Sequence, residues 1–420
     1  MNGRARGRQA AAAALILAAL VSGCARVKPH VELPSLAVDK PSFVATLSAY
    51  SGFPVVPGNR VDILLNGDEI FPAKLEAVRN ARRTINYAEY DFGDGPPAAA
   101  MAEALAERCR AGVKVKVLLD GVGSLALPDA YRDVMERAGC KIVMFRPLSP
   151  FSLNHVDYRN HRRMLVVDGR IAITGGSGMT DKWSGDGRIP DHWRDTDVRV
   201  EGPVVEQVQG AFLENWLEAT QLALGGDEYF PQPLERQGSV DAQVVRSSPV
   251  GGSDAMYTMF LLALASAQRS ILITNPYFLP GDKMIDTIVA AVGRGVKARL
   301  LIPGESDHTL VRRVSRGELG RLLRAGVEVY EYRAALLHAK TMVVDGVWAT
   351  VGSANLDQRS FALNDELNLV IYNRNVARRL EGIFENDLSR SRRITYAEWN
   401  RRSFYTRLLE LIGRPLRDEM

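Results

Sequence analysis

The chain is 420 residues long, with 46% apolar residues, 24% charged residues and a formal net charge of +4. That length and balance exclude a disordered or fibrous chain and leave room for two domains, each with a core. The mild positive excess suits an anionic partner, a phospholipid surface or a nucleic acid, without choosing between them.

In chain order, Arg4, Arg6 and Arg8 precede an apolar run over 10–20, too short to span a bilayer. The pattern predicts a cleavable signal peptide over 1–23. Its end, Val21-Ser22-Gly23-Cys24, resembles the lipobox of bacterial lipoproteins. That resemblance implies cleavage before Cys24, acylation of its thiol, and a lipidated linker over 24–55 attached to a membrane surface. Ala25 stands where an aspartate retains many lipoproteins at the inner membrane. The expected location is therefore the cell envelope, at the outer membrane facing the periplasm, with inner-membrane residence as the alternative.

The rest of the chain contains one unit twice. A helical segment over 71–83 leads into Thr84-Ile85-Asn86-Tyr87, and one over 256–269 leads into Ser270-Ile271-Leu272-Ile273-Thr274. A second helix and strand follow in each copy, ending in the runs 112–119 and 295–302, and a third strand begins after Ala138-Gly139 and after Ala325-Gly326. Helices alternating with short β-branched runs predict a mixed, largely parallel sheet flanked by helices in each half. The first domain is expected over 56–225 and the second over 239–388, meeting in a Gly- and Pro-containing stretch. Cys109 and Cys140 fall opposite Val292 and Val327 of the other copy, so free buried thiols are expected. Residues 389–420 place Arg390, Arg392, Arg393, Arg401, Arg402 and Arg407 among Trp399, Phe404, Tyr405 and Leu408, a basic amphipathic segment. Such a segment suits an interfacial membrane helix or a helix docked on the domain.

The chemistry is concentrated at the end of each copy. His338-Ala339-Lys340-Thr341-Met342-Val343-Val344-Asp345 is followed by Gly352-Ser353-Ala354-Asn355. Strand alternation puts His338 and Lys340 on one face, where both reach a single phosphate. Asn355 and Ser353 can supply further donors to its oxygens. The equivalent first-half run is His161-Arg162-Arg163-Met164-Leu165-Val166-Val167-Asp168, then Gly175-Gly176-Ser177-Gly178, with Ser177 as the matching donor. Displacement at a phosphodiester needs a nucleophile and an acid for the departing oxygen, and a pair of histidines serves both. Lys340 and Arg163 are placed to stabilise equatorial oxygens. Asp195 and Glu366, at matching places after the motifs, can fix the histidine tautomers. Asp168 and Asp345 complete each motif at the turn after its strand. His308 and Tyr277 also fall where loops leave strand ends.

These paired motifs resemble those of the phospholipase D superfamily. The stretches Asn275-Pro276-Tyr277-Phe278-Leu279-Pro280 and Asn355-Leu356-Asp357-Gln358-Arg359-Ser360, with Trp193-Arg194-Asp195-Thr196-Asp197, narrow the likeness to bacterial cardiolipin synthases. The resemblance implies two pseudo-twofold-related phospholipase D-type α/β sandwich domains with one site between them. It also implies attack by His161, acid and base catalysis by His338, a phosphohistidine intermediate, and no metal or cofactor. The implied reaction is phosphatidyl transfer, forming cardiolipin from two phosphatidylglycerols with release of glycerol. Hydrolysis as a phospholipase D or nuclease is the rival activity, and a non-catalytic protein that binds anionic lipid is a second alternative. A chain that carries both motifs itself fits the lipid enzymes and disfavours nucleic acid as substrate. Two departures fall in the first half, where Arg163 replaces the usual lysine and Gly178 the usual asparagine. Arginine is larger and bidentate. Gly178 removes a side-chain donor.

Overall fold

In the computed structural model, residues 32–148, 157–251, 254–305 and 309–402 are described. Cys24, His308 and 403–420 therefore lie outside the described residues. The first half supplies β1 (Val56–Leu65), β2 (Thr84–Glu89), β3 (Lys114–Asp120), β4 (Lys141–Phe145), β5 (Arg159–Asn160), β6 (Met164–Val167), β7 (Ile171–Gly175) and β8 (Thr196–Glu201). The second half supplies β9 (Val240–Ser247), β10 (Ser270–Thr274), β11 (Phe278–Leu279), β12 (Lys297–Pro303), β13 (Glu328–Tyr332), β14 (Thr341–Val344), β15 (Trp348–Gly352), β16 (Leu356–Asp357), β17 (Asn364–Tyr372) and β18 (Ser391–Ile394).

The strand order within the first half is β1-β8-β7-β6-β2-β3-β4, and the second half repeats it as β9-β17-β15-β14-β10-β12-β13. Parallel pairing is confined to β2-β3-β4 and β10-β12-β13 within this order, where helical crossovers join the strands. The remaining neighbours are antiparallel hairpins and returns. β1 and β9 pair antiparallel, with Asn59 opposite Val240, and so merge both halves into one continuous sheet.

The core is continuous as well. On one face, Val205, Phe212 and Trp216 of helix Val205–Thr220 join Ala377, Leu380 and Phe384 of helix Arg374–Leu388 over strand residues from both halves. The opposite face of the first half is covered by helices Asn66–Arg79 and Pro96–Arg110. The alternating residues of Val115 and Val117 against the exposed Lys114 show why these segments become strands with a buried face. The junction stretch lies along the first half, where Tyr229 is buried and its hydroxyl accepts from Lys116 Nζ at 2.6 Å.

The expectation of free thiols is corrected here. Cys109 and Cys140 form a disulfide, with S–S 1.97 Å and Cα–Cα 5.6 Å. Cys109 closes the helix over the sheet and Cys140 opens β4 beneath it, so positions that hold packed hydrophobes in one copy are near enough to bridge in the other. Beyond β18, Trp399 docks on the second half: its indole N–H donates to the carbonyl of Arg316 at 2.7 Å, and its ring lies where a Cβ on Gly320 would fall.

Candidate active site

Each motif runs from its histidine into the hairpin that follows. Between β6 and β7, Asp168 and Gly169 both have positive φ, as do Asp345 and Gly346 between β14 and β15. Asp and Gly tolerate this left-handed pair, which matches the twist of the strands it connects. The same conformation turns the Asp168 carboxylate toward the chain entering β2, where it accepts from the N–H groups of Arg82, Arg83 and Thr84 at 2.9, 2.7 and 2.9 Å. Asp345 accepts from Gln268, Arg269 and Ser270 at the same three distances. Both aspartates, counted with the motif residues by sequence but placed at the turn after each strand, thereby act as anchors that hold the local backbone and tie the hairpin to the neighbouring strand.

At the other end of these strands the halves exchange partners. β5 pairs in parallel with the start of β17, and His161 N–H donates to the Asp365 carbonyl at 2.9 Å. Symmetrically, His338 N–H donates to the Arg194 carbonyl at 2.8 Å. Each histidine is thus laid beside the acidic segment of the opposite half. His161 Nδ1 donates to Glu366, at 2.9 and 3.0 Å from its two oxygens, and His338 Nδ1 donates to Asp195 Oδ2 at 2.8 Å. Both rings are buried. With Nδ1 so engaged, Nε2 is the nitrogen left for phosphorus, and Arg163 Nη1 donates to Nε2 of His161 at 3.0 Å. Lys340 Nζ stands 2.8 Å from Nδ1 and 3.0 Å from Nε2 of His338 and donates to the His338 carbonyl at 2.6 Å.

The electrostatics of the halves differ. Burial pushes the Glu366 carboxyl up to about 7, against hydrogen bonds from Ser353, Ser360 and Asn364. Burial also opposes ionisation of Asp195, yet the His338 ring, Lys340 and the Trp183 indole together hold that carboxyl well below its usual range. Burial and then Arg163, Lys340 and Arg359 hold His161 well below its ordinary value. Burial, followed by Lys340, brings His338 down to about 3 despite Asp195. An arriving phosphate neutralises the two cations and so returns basicity to both rings.

Several expected donors are engaged elsewhere. Ser353 Oγ donates to Glu366 Oε2 at 2.5 Å and so supports the carboxylate. Ser177 Oγ donates to Asp197 at 2.7 Å and accepts from buried Lys74 at 2.9 Å. Both serines are corrected from substrate contacts to supports, because each is drawn to the nearest buried carboxylate. Asn355 is buried and its Oδ1 has no hydrogen-bond partner among the described residues, and its Nδ2 is the side-chain donor that could serve a phosphate oxygen. Tyr277 lies edge-on to His338 with centroids 6.3 Å apart, whereas Phe278 is fully buried core.

The two first-half departures have structural counterparts. Arg163 Nε stands 3.5 Å from Glu89, whose position is taken in the other half by Asn275, and the Arg163 guanidinium lies over the Tyr90 ring. A Cβ on Gly178 would fall 2.7 Å from the Trp183 ring. Trp183 fills the space of the missing asparagine, packs 5.2 Å from the His338 ring, and donates its indole N–H to Asp195 Oδ2 at 2.8 Å. A donor is therefore kept, redirected to the carboxylate. Sequence reasoning missed Trp183, Glu89 and Tyr90. It also missed Arg162, fully buried between the halves and bonded to the carbonyls of Glu366, Ala211 and Ser247. Gly178 was the available signal for Trp183, since a deleted side chain in a packed site needs a filler. Among the described residues, no cluster of three or more His, Cys, Asp or Glu is arranged to hold a metal ion.

A duplicated sheet with crossed histidine and carboxylate pairs on its seam defines an enzyme of the phospholipase D type. The family model described as "Cardiolipin synthase, PLD-like domain" matches residues 75–216 and 260–388, and the chain belongs to that family. Among curated relatives, it is 33% identical over 367 residues to the cardiolipin synthase of Geobacillus thermodenitrificans (strain NG80-2), covering 86% of this chain and 73% of that one. It is also 33% identical over 366 residues to the major cardiolipin synthase of Bacillus subtilis (strain 168), covering 85% of this chain and 75% of that one. The fold is shared with phosphatidylserine synthase of Haemophilus influenzae Rd KW20 at TM-score 0.69 and 13% identity, covering 90% of this chain and 98% of that one. Polyphosphate kinase from Porphyromonas gingivalis follows at TM-score 0.53 and 14% identity, covering 93% of this chain and 58% of that one.

Proposed function

We propose that the chain transfers a phosphatidyl group from one phosphatidylglycerol to another, forming cardiolipin and releasing glycerol. The observation that carries this reading is the pair of histidines on one seam, each beside a cation and each held by the other half's carboxylate. His161 attacks phosphorus through Nε2, a bond forms between nitrogen and phosphorus, and the glycerol oxygen leaves with a proton from His338. The terminal hydroxyl of the second phosphatidylglycerol then gives its proton to His338, attacks phosphorus and breaks the nitrogen–phosphorus bond. Arg163, Lys340 and Asn355 hold the equatorial oxygens of each transition state. The firmly ionised Asp195 favours a protonated His338 as the acid, and Glu366, pushed up to about 7, is the weaker counter-charge that leaves His161 neutral for attack.

A lipid substrate is supported by the loops at this end of the sheet. Exposed Leu125 follows β3, Leu148 follows β4, Ile189 lies between β7 and β8, and Val250 follows β9. Asp120 at the end of β3 accepts from Asn160 N–H, next to His161, and Ser247 at the end of β9 lies opposite Glu366. These apolar side chains thus ring the strand ends that carry the site, as suits a bilayer interface. The lipobox-like Cys24 supports tethering to a membrane of the cell envelope. Incubating the protein, freed of its lipid anchor, with phosphatidylglycerol vesicles and chelator tests the reading by mass spectrometry. Cardiolipin and glycerol, absent with His161→Ala, support transfer without added metal; phosphatidic acid as the sole product makes the chain a hydrolase.

A further inference from the structure

Transfer between two phosphatidylglycerols requires something that hydrolysis does not: a second phosphate in the site. The acceptor attacks through its terminal hydroxyl, and its own phosphodiester then lies only a three-carbon bridge from the reacting phosphorus. Two anions so close in a buried site repel, and a cation beyond those that hold the first phosphate offsets the repulsion.

Most arginines around the site are committed to carboxylates. Arg146 pairs with Glu218 at 2.8 Å and Asp365 at 2.9 Å. Arg162 pairs with Glu214 at 3.1 Å, Arg194 with Asp387 at 2.9 Å, and Arg159 stands 3.6 Å from Asp120. Arg359 differs. It lies in the single turn Gln358–Ala362, which starts three residues beyond Asn355 and is pinned by Asp357 Oδ1 accepting from Ser360 N–H at 2.7 Å. Its guanidinium donates to the carbonyl of Asp157 at 3.1 Å, in the segment that leads through β5 to His161. Among the described residues it forms no salt bridge, although its charge works against the burial that raises the Asp357 carboxyl, and its side chain is half-buried. Its charge reaches the chemistry, because it contributes to the lowered basicity of His161 after burial, Arg163 and Lys340.

The geometry points to Arg359 as the group that binds the phosphate of the acceptor phospholipid, leaving Arg163 and Lys340 to the phosphate that reacts. This assignment rests on the transfer reading above and narrows it. A neutral alcohol needs no such partner. A lipid that carries a phosphodiester near its hydroxyl does, and the site thereby prefers it to water or simple alcohols. The bond changes are those of the second step: the acceptor oxygen joins phosphorus, nitrogen departs from it, and His338 takes the hydroxyl proton.

The test is a partition experiment in which phosphatidylglycerol vesicles and added ethanol compete for the same phosphohistidine. The ratio of cardiolipin to phosphatidylethanol is read by mass spectrometry, and it does not depend on how much enzyme is folded. With Arg359→Ala the ratio is expected to fall roughly 30-fold, the loss of one charge-assisted phosphate contact. Arg359→Lys, which keeps the charge, should recover a large part of it. An unchanged ratio in Arg359→Ala overturns the assignment, as does an equal fall in Arg359→Lys. If the unaltered protein yields phosphatidylethanol or phosphatidic acid and no cardiolipin, the transfer reading itself fails, and Arg359 has no acceptor phosphate to bind.

Discussion

Nδ1 of His161 lies 2.9 Å from Oε1 of Glu366, a carboxylate 205 positions further along the chain and in the opposite half. His161, the proposed nucleophile, is therefore oriented by the half that does not contain it. Because burial pushes Glu366 up from 4.5 to about 7, its folded-state proton is lost only near neutrality. Below that point the carboxyl is neutral and the negative charge beside Nδ1–H is lost, so kcat/KM should fall as pH falls through about 7. Glu366→Gln keeps a carbonyl acceptor without the titration; its maximal rate is expected to drop about 100-fold, and this limb should vanish. A raised folded-state value also means that the carboxyl favours the fold below 4.5 and loses that advantage as pH rises through about 7. Urea unfolding should accordingly show Glu366→Gln gaining on the parent between about pH 5 and about pH 8. An identical pH profile for both proteins counts against the assignment.

The two histidines should separate by their dependence on the leaving group. A phosphodiester with a nitrophenolate leaving group needs no acid in the first step, so in a single turnover His338→Ala should still release nitrophenolate within about tenfold of the parent, whereas His161→Ala should fall by about 1,000-fold or more. Rapid-quench trapping of the phosphohistidine reads the same assignment directly. Covalent intermediate in His161→Ala would reverse the roles.

Removing either hairpin aspartate should cost stability before chemistry. Asp168→Ala and Asp345→Ala each leave three strand-entry N–H groups without their acceptor. A loss of about 2–4 kcal/mol is expected in urea unfolding for each, with Asn milder because it tolerates positive φ. A rate loss at full stability would instead place these aspartates in the chemistry.

Restoring the usual asparagine should be harmful by itself. Gly178→Asn drives a side chain into the Trp183 ring, since its Cβ would lie 2.7 Å from that ring. It should cost about 1–3 kcal/mol and displace the indole N–H from Asp195. Combined with Trp183→Ala, the clash disappears, so the double variant should be more stable than the sum of the single changes allows. Strict additivity in that cycle would mean the pair is not coupled.

Reduction of the Cys109–Cys140 disulfide opens a loop of 31 positions and should lower unfolding free energy by about 4 kcal/mol. The bridge spans helix and β4 on the first half, away from the histidines, so a Cys109→Ala, Cys140→Ala protein should keep its transfer rate at temperatures where it remains folded.

The sequence by itself determined the duplication, the element order, the two histidines with their cations, and the turn position of Asp168 and Asp345. These are local quantities: strand alternation, hydrophobic period and the tolerance of Asp-Gly for positive φ are set within a few residues. What only the tertiary structure decided is who partners whom. Pairing of β1 with β9 fuses the halves into one sheet, and pairing of β5 with β17 carries His161 to Glu366 instead of to the acid that follows it in the chain. The same holds for the bridge between Cys109 and Cys140, for the serines drawn to buried carboxylates, and for Trp183 in the space of a missing asparagine. Each depends on which surfaces meet when buried charge must be paired and buried space filled. A one-dimensional chain carries those requirements without showing the meeting point.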